Sequence, residues 1–219
     1  AEEMVNLSRL LTDYLESPEY LDLMRHHENV RLVTEELQKG LTVVGSPAHL
    51  SNVVMNLVNN AAEAIPDGGT ITLRLDQIQF TSRPPGFQAW LPEPYARLTI
   101  SDTGSGIPPQ YAERIFEPFF SLKKTGRSGT GLGLAVVWGT VTDHNGYIEV
   151  ASAEGQGTRF HIYLPLATGQ QGRQSSPEPL PVVRGQGQRI LVIDDDQQQR
   201  QIAAEILGYL GYQARVVES

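Results

Sequence analysis

The sequence predicts an α+β fold, a two-layer α/β sandwich with helices on one face of a mixed sheet. Two observations carry that reading. Runs in which β-formers alternate with polar residues, at 70–75, 96–101, 147–152 and 158–164, have the pattern of strands. Interspersed with them are two segments suited to helices, 46–65 and 132–144, which can cover one face of a sheet. A third observation sets the carboxyl-terminal end apart. Residues 189–193 form a continuous apolar run that delivers Asp194, Asp195 and Asp196, the pattern of a strand buried in a parallel sheet, and this predicts a partial βαβ unit.

In chain order, Met4, Leu7, Leu11, Tyr14 and Leu15 fall near helical spacing, so residues 2–16 read as a helix ended by Ser17 and Pro18. Residues 30–37 and 41–44 read as short strands. Ser46 and Pro47 supply an N-cap and a first-turn proline, and the helix they start runs to about Ile65, ended by Pro66, Asp67, Gly68 and Gly69. The strands 70–75 and 96–101 are separated by a Pro- and Gly-rich loop over 81–94. The helix over 132–144 stops at Asn145 and Gly146, and a hairpin follows, turning at residues 154–157. Residues 168–188, poor in apolar side chains, read as a linker. After the strand at 189–193, Ile202, Ala203, Ile206, Leu207 and Leu210 repeat at helical spacing, and 213–217 reads as the next strand.

Composition narrows the function. The chain has 219 residues, 40% of them hydrophobic, enough for one full core and part of a second. No run of about 18 apolar residues spans a bilayer, and the first residues lack the features of a signal peptide. No membrane contact is therefore expected, and a cytoplasmic setting is. The absence of Cys excludes disulfides and thiolate metal sites. A net charge of −8 argues against nucleic-acid backbone binding, though a nucleotide remains within reach of local Lys and backbone N–H groups.

Four clusters carry chemistry. Asn56 and Asn60, four apart on a helix, share one face, and a carboxamide oxygen is a hard ligand able to complete an octahedral Mg²⁺ also held by phosphates and water. Leu50, Val53, Val54, Leu57, Val58 and Ala61 form the opposite, core-facing side. Glu63 reads as a solvated surface residue. Asp102 closes a strand and enters a turn with Gly104 and Gly106, where a carboxylate can accept from an exocyclic amine and so select adenine. Phe116, Phe119 and Phe120 read as packing residues that anchor a loop. Gly129, Gly131 and Gly133 precede a helix whose amino terminus can meet phosphate oxygens, and Lys123 or Lys124 can reach terminal phosphates.

In this order the clusters resemble the N, G1, F and G2 boxes of the catalytic ATP-binding domain of sensor histidine kinases, in the superfamily that also holds Hsp90, MutL and DNA gyrase B. The resemblance implies a Bergerat-type fold over 29–167, preceded at 1–28 by a helical lead-in from a dimerisation domain. It implies ATP and Mg²⁺ as ligands, with Asn60 on the metal, Asn56 beside phosphate or water, Asp102 on the adenine amine and Lys123 on the terminal phosphate. Gly104, Gly106, Ile107, Phe120, Thr130, Gly131, Leu132, Gly133, Leu134 and Thr158 would complete the nucleotide contacts, although a hairpin turn explains the segment up to Thr158 about as well. Residues 189–219 resemble the start of a response-regulator receiver domain, with Asp194 and Asp195 as its acidic pair and no phosphoacceptor Asp. Together these imply a hybrid kinase, homodimeric at full length, that phosphorylates a histidine outside this chain.

The histidines here do not supply that acceptor. His26 and His27 read as surface residues, and His49, His144 and His161 as structural ones. ATP-hydrolysing relatives carry a general-base Glu at the position of Asn56, and an amide cannot take a proton from water. The rival readings are such a hydrolytic switch and a non-catalytic nucleotide-binding module.

Overall fold

The computed structural model describes residues 2–84, 92–121, 131–167, 187–193, 204, 207–208 and 211–217. The chain divides into two units, Ala1–Thr168 and Gly169–Ser219. The first runs β1 (Glu3–Asn6), α1 (Leu7–Leu15), α2 (Pro18–His26), β2 (Val30–Leu37), β3 (Thr42–Gly45), α3 (Pro47–Glu63), β4 (Gly69–Ile78), β5 (Tyr95–Asp102), α4 (Gly133–Asp143), β6 (Tyr147–Ser152) and β7 (Thr158–Pro165). Strands are ordered β2-β4-β5-β7-β6, with β2 and β4 parallel and the remaining pairs antiparallel, the mixed sheet the sequence predicts.

The helices form the second layer. Leu50, Val53, Val54, Leu57, Val58 and Ala61 of α3 are all buried, against Ile71, Leu73 and Leu75 of β4, Leu98 and Ile100 of β5, and Phe160 and Ile162 of β7. Leu10 and Leu11 of α1 and Val137 and Val141 of α4 join the same core. Burying side chains of this size stabilises by about 1.5–3 kcal/mol each, so α3 is committed to this face.

Two elements differ from the sequence reading. The helix expected from residue 2 begins at Leu7. Residues Glu3–Asn6 are instead a strand paired antiparallel with β3, Met4 opposite Val44 and Val5 opposite Val43, and Val5 is buried. Asn6 then caps α1, its side chain accepting the N–H of Arg9. Tertiary pairing with β3 overrides a helical spacing that is real only from Leu7 onward. Second, residues 18–26 form a helix, α2, that the reading did not include. Ser17 accepts the N–H of Tyr20 and Pro18 opens the first turn, the same device that Ser46 and Pro47 use for α3.

The sheet's other face is polar and aromatic. Phe80, Tyr95 and Tyr163 pack edge to face, with centroids 5.8 and 5.3 Å apart. Beside them, charges alternate across the strands. Arg74 meets Glu36 of β2 at 2.9 Å and Asp76 at 3.2 Å, and Arg97 of β5 grips Asp76 through two bonds of 2.9 and 2.6 Å. Further along, Thr99 meets His161 Nδ1 at 2.8 Å and Tyr163 donates to Glu149 of β6 at 2.8 Å.

In the second unit, β8 (Arg189–Ile193) and β9 (Gln213–Val217) pair in parallel, and Ala204, Leu207 and Gly208 are helical. Leu191 is 56% exposed, against the expectation of a buried strand. The predicted helical residues Ile202, Ala203, Ile206 and Leu210, residues 168–186 of the linker and residues 85–91 of the predicted loop lie outside the described residues.

Asp76→Ala leaves Arg97 without its carboxylate in a half-buried position and is expected to lower stability by about 2 kcal/mol, read from urea unfolding. Arg97, bonded to it, holds the Asp76 carboxyl below the ordinary carboxylate range. The contribution is therefore complete above that range and disappears as pH falls through the lowered value, where wild type and variant should converge. A difference that persists unchanged into acid would refute this account.

Candidate functional site

A cavity of about 470 Å³ opens between α3, the start of α4 and the end of β5. That is within the roughly 300–1,000 Å³ typical of small-ligand sites. Each wall follows from local structure. Because the apolar face of α3 is turned to the sheet, its polar face, with Asn56, Asn59, Asn60 and Glu63, is turned to the cavity. Asn56 Nδ2 donates to Asn52 O at 2.9 Å, and its Oδ1 is directed toward Gly133, where a Cβ would come within 2.9 Å of it.

Asp102 sits at the end of β5, only 9% exposed. Its Oδ1 accepts the N–H of Gly104 at 2.8 Å and of Thr158 at 3.3 Å, while Oδ2 has no hydrogen-bond donor among the described residues. Burial pushes the carboxyl above the ordinary carboxylate range, and the two N–H groups only partly offset this. The turn after it is held by Gly106, whose φ of 69° suits glycine and whose missing side chain leaves room for Ala153 O.

Thr158 stands beside Asp102. Ser152 Oγ accepts the N–H of Ile107 at 2.8 Å and donates its single proton to Gly157 O at 2.9 Å, so the 3.0 Å contact between Ser152 and Thr158 hydroxyls must use the proton of Thr158. The lone pairs of Thr158 are thereby left to the cavity. Asp102 Oδ2 and Thr158 Oγ1 make this corner an acceptor site.

Across the cavity, α4 begins at Gly133, and Leu132 before it supplies no side-chain cap to its first N–H groups, nor does any other side chain among the described residues. The aromatic cluster supports this wall unevenly. Phe120 lines the cavity, with Tyr111 5.7 Å away and the Arg114 guanidinium 4.7 Å over its ring. Phe116 packs on Trp138 at 5.0 Å. Phe119 departs from the packing role the sequence suggests. It is 76% exposed with a φ of 66°, and its anchoring comes from the backbone, its N–H donating to Gly131 O at 3.0 Å.

Asn56, Asn60, Asp102, Gly106, Ile107, Phe120, Gly131, Gly133, Leu134 and Thr158 thus line one cavity, and Gly104 supports Asp102 from behind. Leu132 does not line it and is 36% exposed. Lys123, Lys124, Thr130, Asp194 and Asp195 lie outside the described residues. The sequence reading missed Asn59, Ser105, Ile115 and Phe160, and it took Glu63 for surface although Glu63 lines the rim. Asn59 and Glu63 were signalled by the same helical face as Asn60. Ile115 and Phe160 come from packing and have no local signal.

A model of the histidine kinase-, DNA gyrase B- and HSP90-like ATPase family matches residues 45–168, the segment that builds every wall just described. The chain belongs to this family. Within the ATPase family it is 41% identical over 126 residues to the sensor kinase CckA of Brucella abortus, and 41% identical over 139 residues to the sensory histidine kinase/phosphatase NtrB of Rhodobacter capsulatus. These alignments cover 57% and 62% of this chain but only 13% and 37% of those proteins, so the chain spans a minor part of their length. Among solved structures, a mycobacterial sensor histidine kinase, MprB, aligns with 76% of this chain and 98% of its own at a TM-score of 0.58 and 30% identity. The ATPase-family fold, a mixed sheet layered with helices, is the fold of the first unit.

Asp102→Asn keeps an Oδ1 acceptor for Gly104 and Thr158 while removing a desolvated charge. A raised carboxyl pKa means that stability falls as pH rises through it, so at neutral pH this substitution is expected to leave the melting temperature equal to or above that of wild type. A drop of more than about 4 °C, the scale of a 1 kcal/mol loss, would contradict it.

Proposed function

We propose that this chain contains the ATP-binding catalytic domain of a sensor histidine kinase and transfers the γ-phosphate of ATP to a histidine outside it. One observation carries the reading: a single cavity joins an acceptor corner, an amide-bearing helix face and a helix amino terminus. Asp102 Oδ2 would accept from the exocyclic amine of adenine, which guanine lacks at that position, with Thr158 as a second acceptor. The first N–H groups of α4 would meet phosphate oxygens. Lys123, or Lys124, would neutralise terminal phosphate charge.

Asn60 fits a Mg²⁺ that takes most of its ligands from phosphates and water, since it offers one neutral oxygen and no cluster of three acidic or histidine ligands exists among the described residues. When bound, the ion would offset charge on the transferring phosphoryl group. Asn56 does not act as a base: its Nδ2 is bonded back to Asn52 O, and a carboxamide takes no proton from water. This favours transfer to a protein acceptor over the hydrolytic switch, and the intact cavity argues against a module that has lost its nucleotide.

The wider assignment is part of the proposal. Residues 1–28 would lead in from a dimerisation domain and 168–188 would be a linker. Residues 189–219 would begin a receiver domain, a reading supported by the parallel pairing of β8 with β9. The full-length protein would be a homodimeric hybrid kinase with this domain on the cytoplasmic side. No described helix is long and apolar enough to cross a membrane.

Calorimetric titration with a non-hydrolysable ATP analogue tests the core of this. Binding is expected to be adenine-selective and Mg²⁺-assisted. Asp102→Asn should weaken it at least about tenfold, the scale of losing one charge-assisted hydrogen bond, and Asn60→Ala should abolish the Mg²⁺ dependence. Phosphate release from Mg·ATP without an acceptor, at ordinary enzyme rates of about 1 per second or more, would favour the hydrolase instead.

A further inference from the structure

The two helices that wall the cavity meet at both ends of α4. At the cavity, Gly133 in the first turn of α4 lies against Asn56 Oδ1. At the far end, the junction is made by His144, the residue that follows α4. Its Nδ1 lies 2.7 Å from Thr140 O and its Nε2 lies 3.1 Å from Ser46 N, the backbone of the residue that caps α3. A carbonyl only accepts and an amide N–H only donates, so the ring must carry its proton on Nδ1 and present a lone pair at Nε2. One neutral tautomer therefore ties the last turn of α4 to the first of α3.

The seat for this ring is shaped by Gly45. A Cβ there would overlap the imidazole at Cδ2 and Nε2, so the glycine is the space the ring fills. Gly45 also pairs with Glu3 at the end of the β1–β3 ribbon, which fixes the floor of the seat. The backbone of Ser46 is engaged on both sides, its N–H going to His144 and its C=O accepting the N–H of Leu50, and its Oγ accepts the N–H of His49.

We propose that His144 is a positioning residue for the nucleotide site, holding α3 and α4 at the spacing that sets Asn56 and Asn60 opposite the amino terminus of α4. Each helix is a stiff rod rising 1.5 Å per residue, so holding α4 at both its ends, against the start and the middle of α3, leaves it little freedom to slide or splay. Releasing the His144 end allows α4 to pivot about Gly133 and changes the gap that phosphates would enter. The proposal rests on the nucleotide reading above.

The test compares variants of the full chain for Mg²⁺-assisted binding of a non-hydrolysable ATP analogue, at a temperature well below each melting point. His144→Asn keeps a donor near Nδ1 but no acceptor at Nε2, and is expected to bind about three- to tenfold more weakly, the scale of one lost buried hydrogen bond. His144→Gln places an oxygen near Nε2 and should recover affinity to within about twofold of wild type. Gly45→Ala should weaken binding like His144→Asn, yet add nothing in a His144→Ala background, where there is no ring to displace. Wild-type affinity in His144→Asn, or equal losses in the Asn and Gln variants, would overturn the proposal. If Gly45→Ala fails to fold, the Asn and Gln pair still decides. Failure of wild type itself to bind would instead overturn the nucleotide reading.

Discussion

Everything in the first unit depends on how α3 is divided between two surfaces. Seven of its residues, from Leu50 to Ala62, are buried against the sheet or the neighbouring helices. The amides of Asn56 and Asn60 fall on the remaining strip, so the burial that stabilises the fold is the same event that aims the site. The helix cannot rotate to satisfy one surface without losing the other. An error of one position, about 100° of rotation, would carry Asn60 into the buried place of Ala61 and turn Val58 and Ala62 out into the places of Asn59 and Glu63. The sheet accepts this helix because β4, β5 and β7 turn Ile71, Leu73, Ile100 and Ile162 to the same side.

The opposite side of the sheet solves a different problem with different chemistry. It carries charges and aromatics on neighbouring strands, and places opposite signs next to each other from Glu36 through Arg74 and Asp76 to Arg97. Such cross-strand pairs fix register, since a slip of one residue would bring polar groups to the helical layer and apolar ones out. The site is built on the ends of strands whose alignment is set on the face away from it.

Much of this was legible because it depends on local rules. Ser46 and Pro47 start α3, Asn145 and Gly146 stop α4, and the alternation at 147–152 and 158–164 makes a hairpin, all as the residues suggest. The polar residues that meet in the cavity were legible through their order along the chain, since the patterns around Asn56, Asn60 and Asp102 are each weak alone, while Thr158 was explained about as well by its hairpin turn. What escaped were features decided by partners distant in sequence. β1 is a strand only because Val43 and Val44 lie opposite, and α1 has an excellent helical pattern immediately after it. Phe119 looks like its neighbours in composition, but its left-handed backbone turns the ring outward. α2 is the exception, since Ser17 and Pro18 announced it as clearly as Ser46 and Pro47 announced α3.

Asp102 shows what the fold gives up to keep this cavity. A carboxylate in a desolvated corner, with one oxygen lacking a donor among the described residues, is expected to serve the folded state no better than the amide that would replace it. Under the proposed function, the charge is there for the adenine amine and not for the fold. In a lineage released from whatever occupies this corner, drift should erase Asp102 before it touches Leu57 or Ile71. The state of this one position would then tell a working copy of the domain from a relic that keeps only the shape.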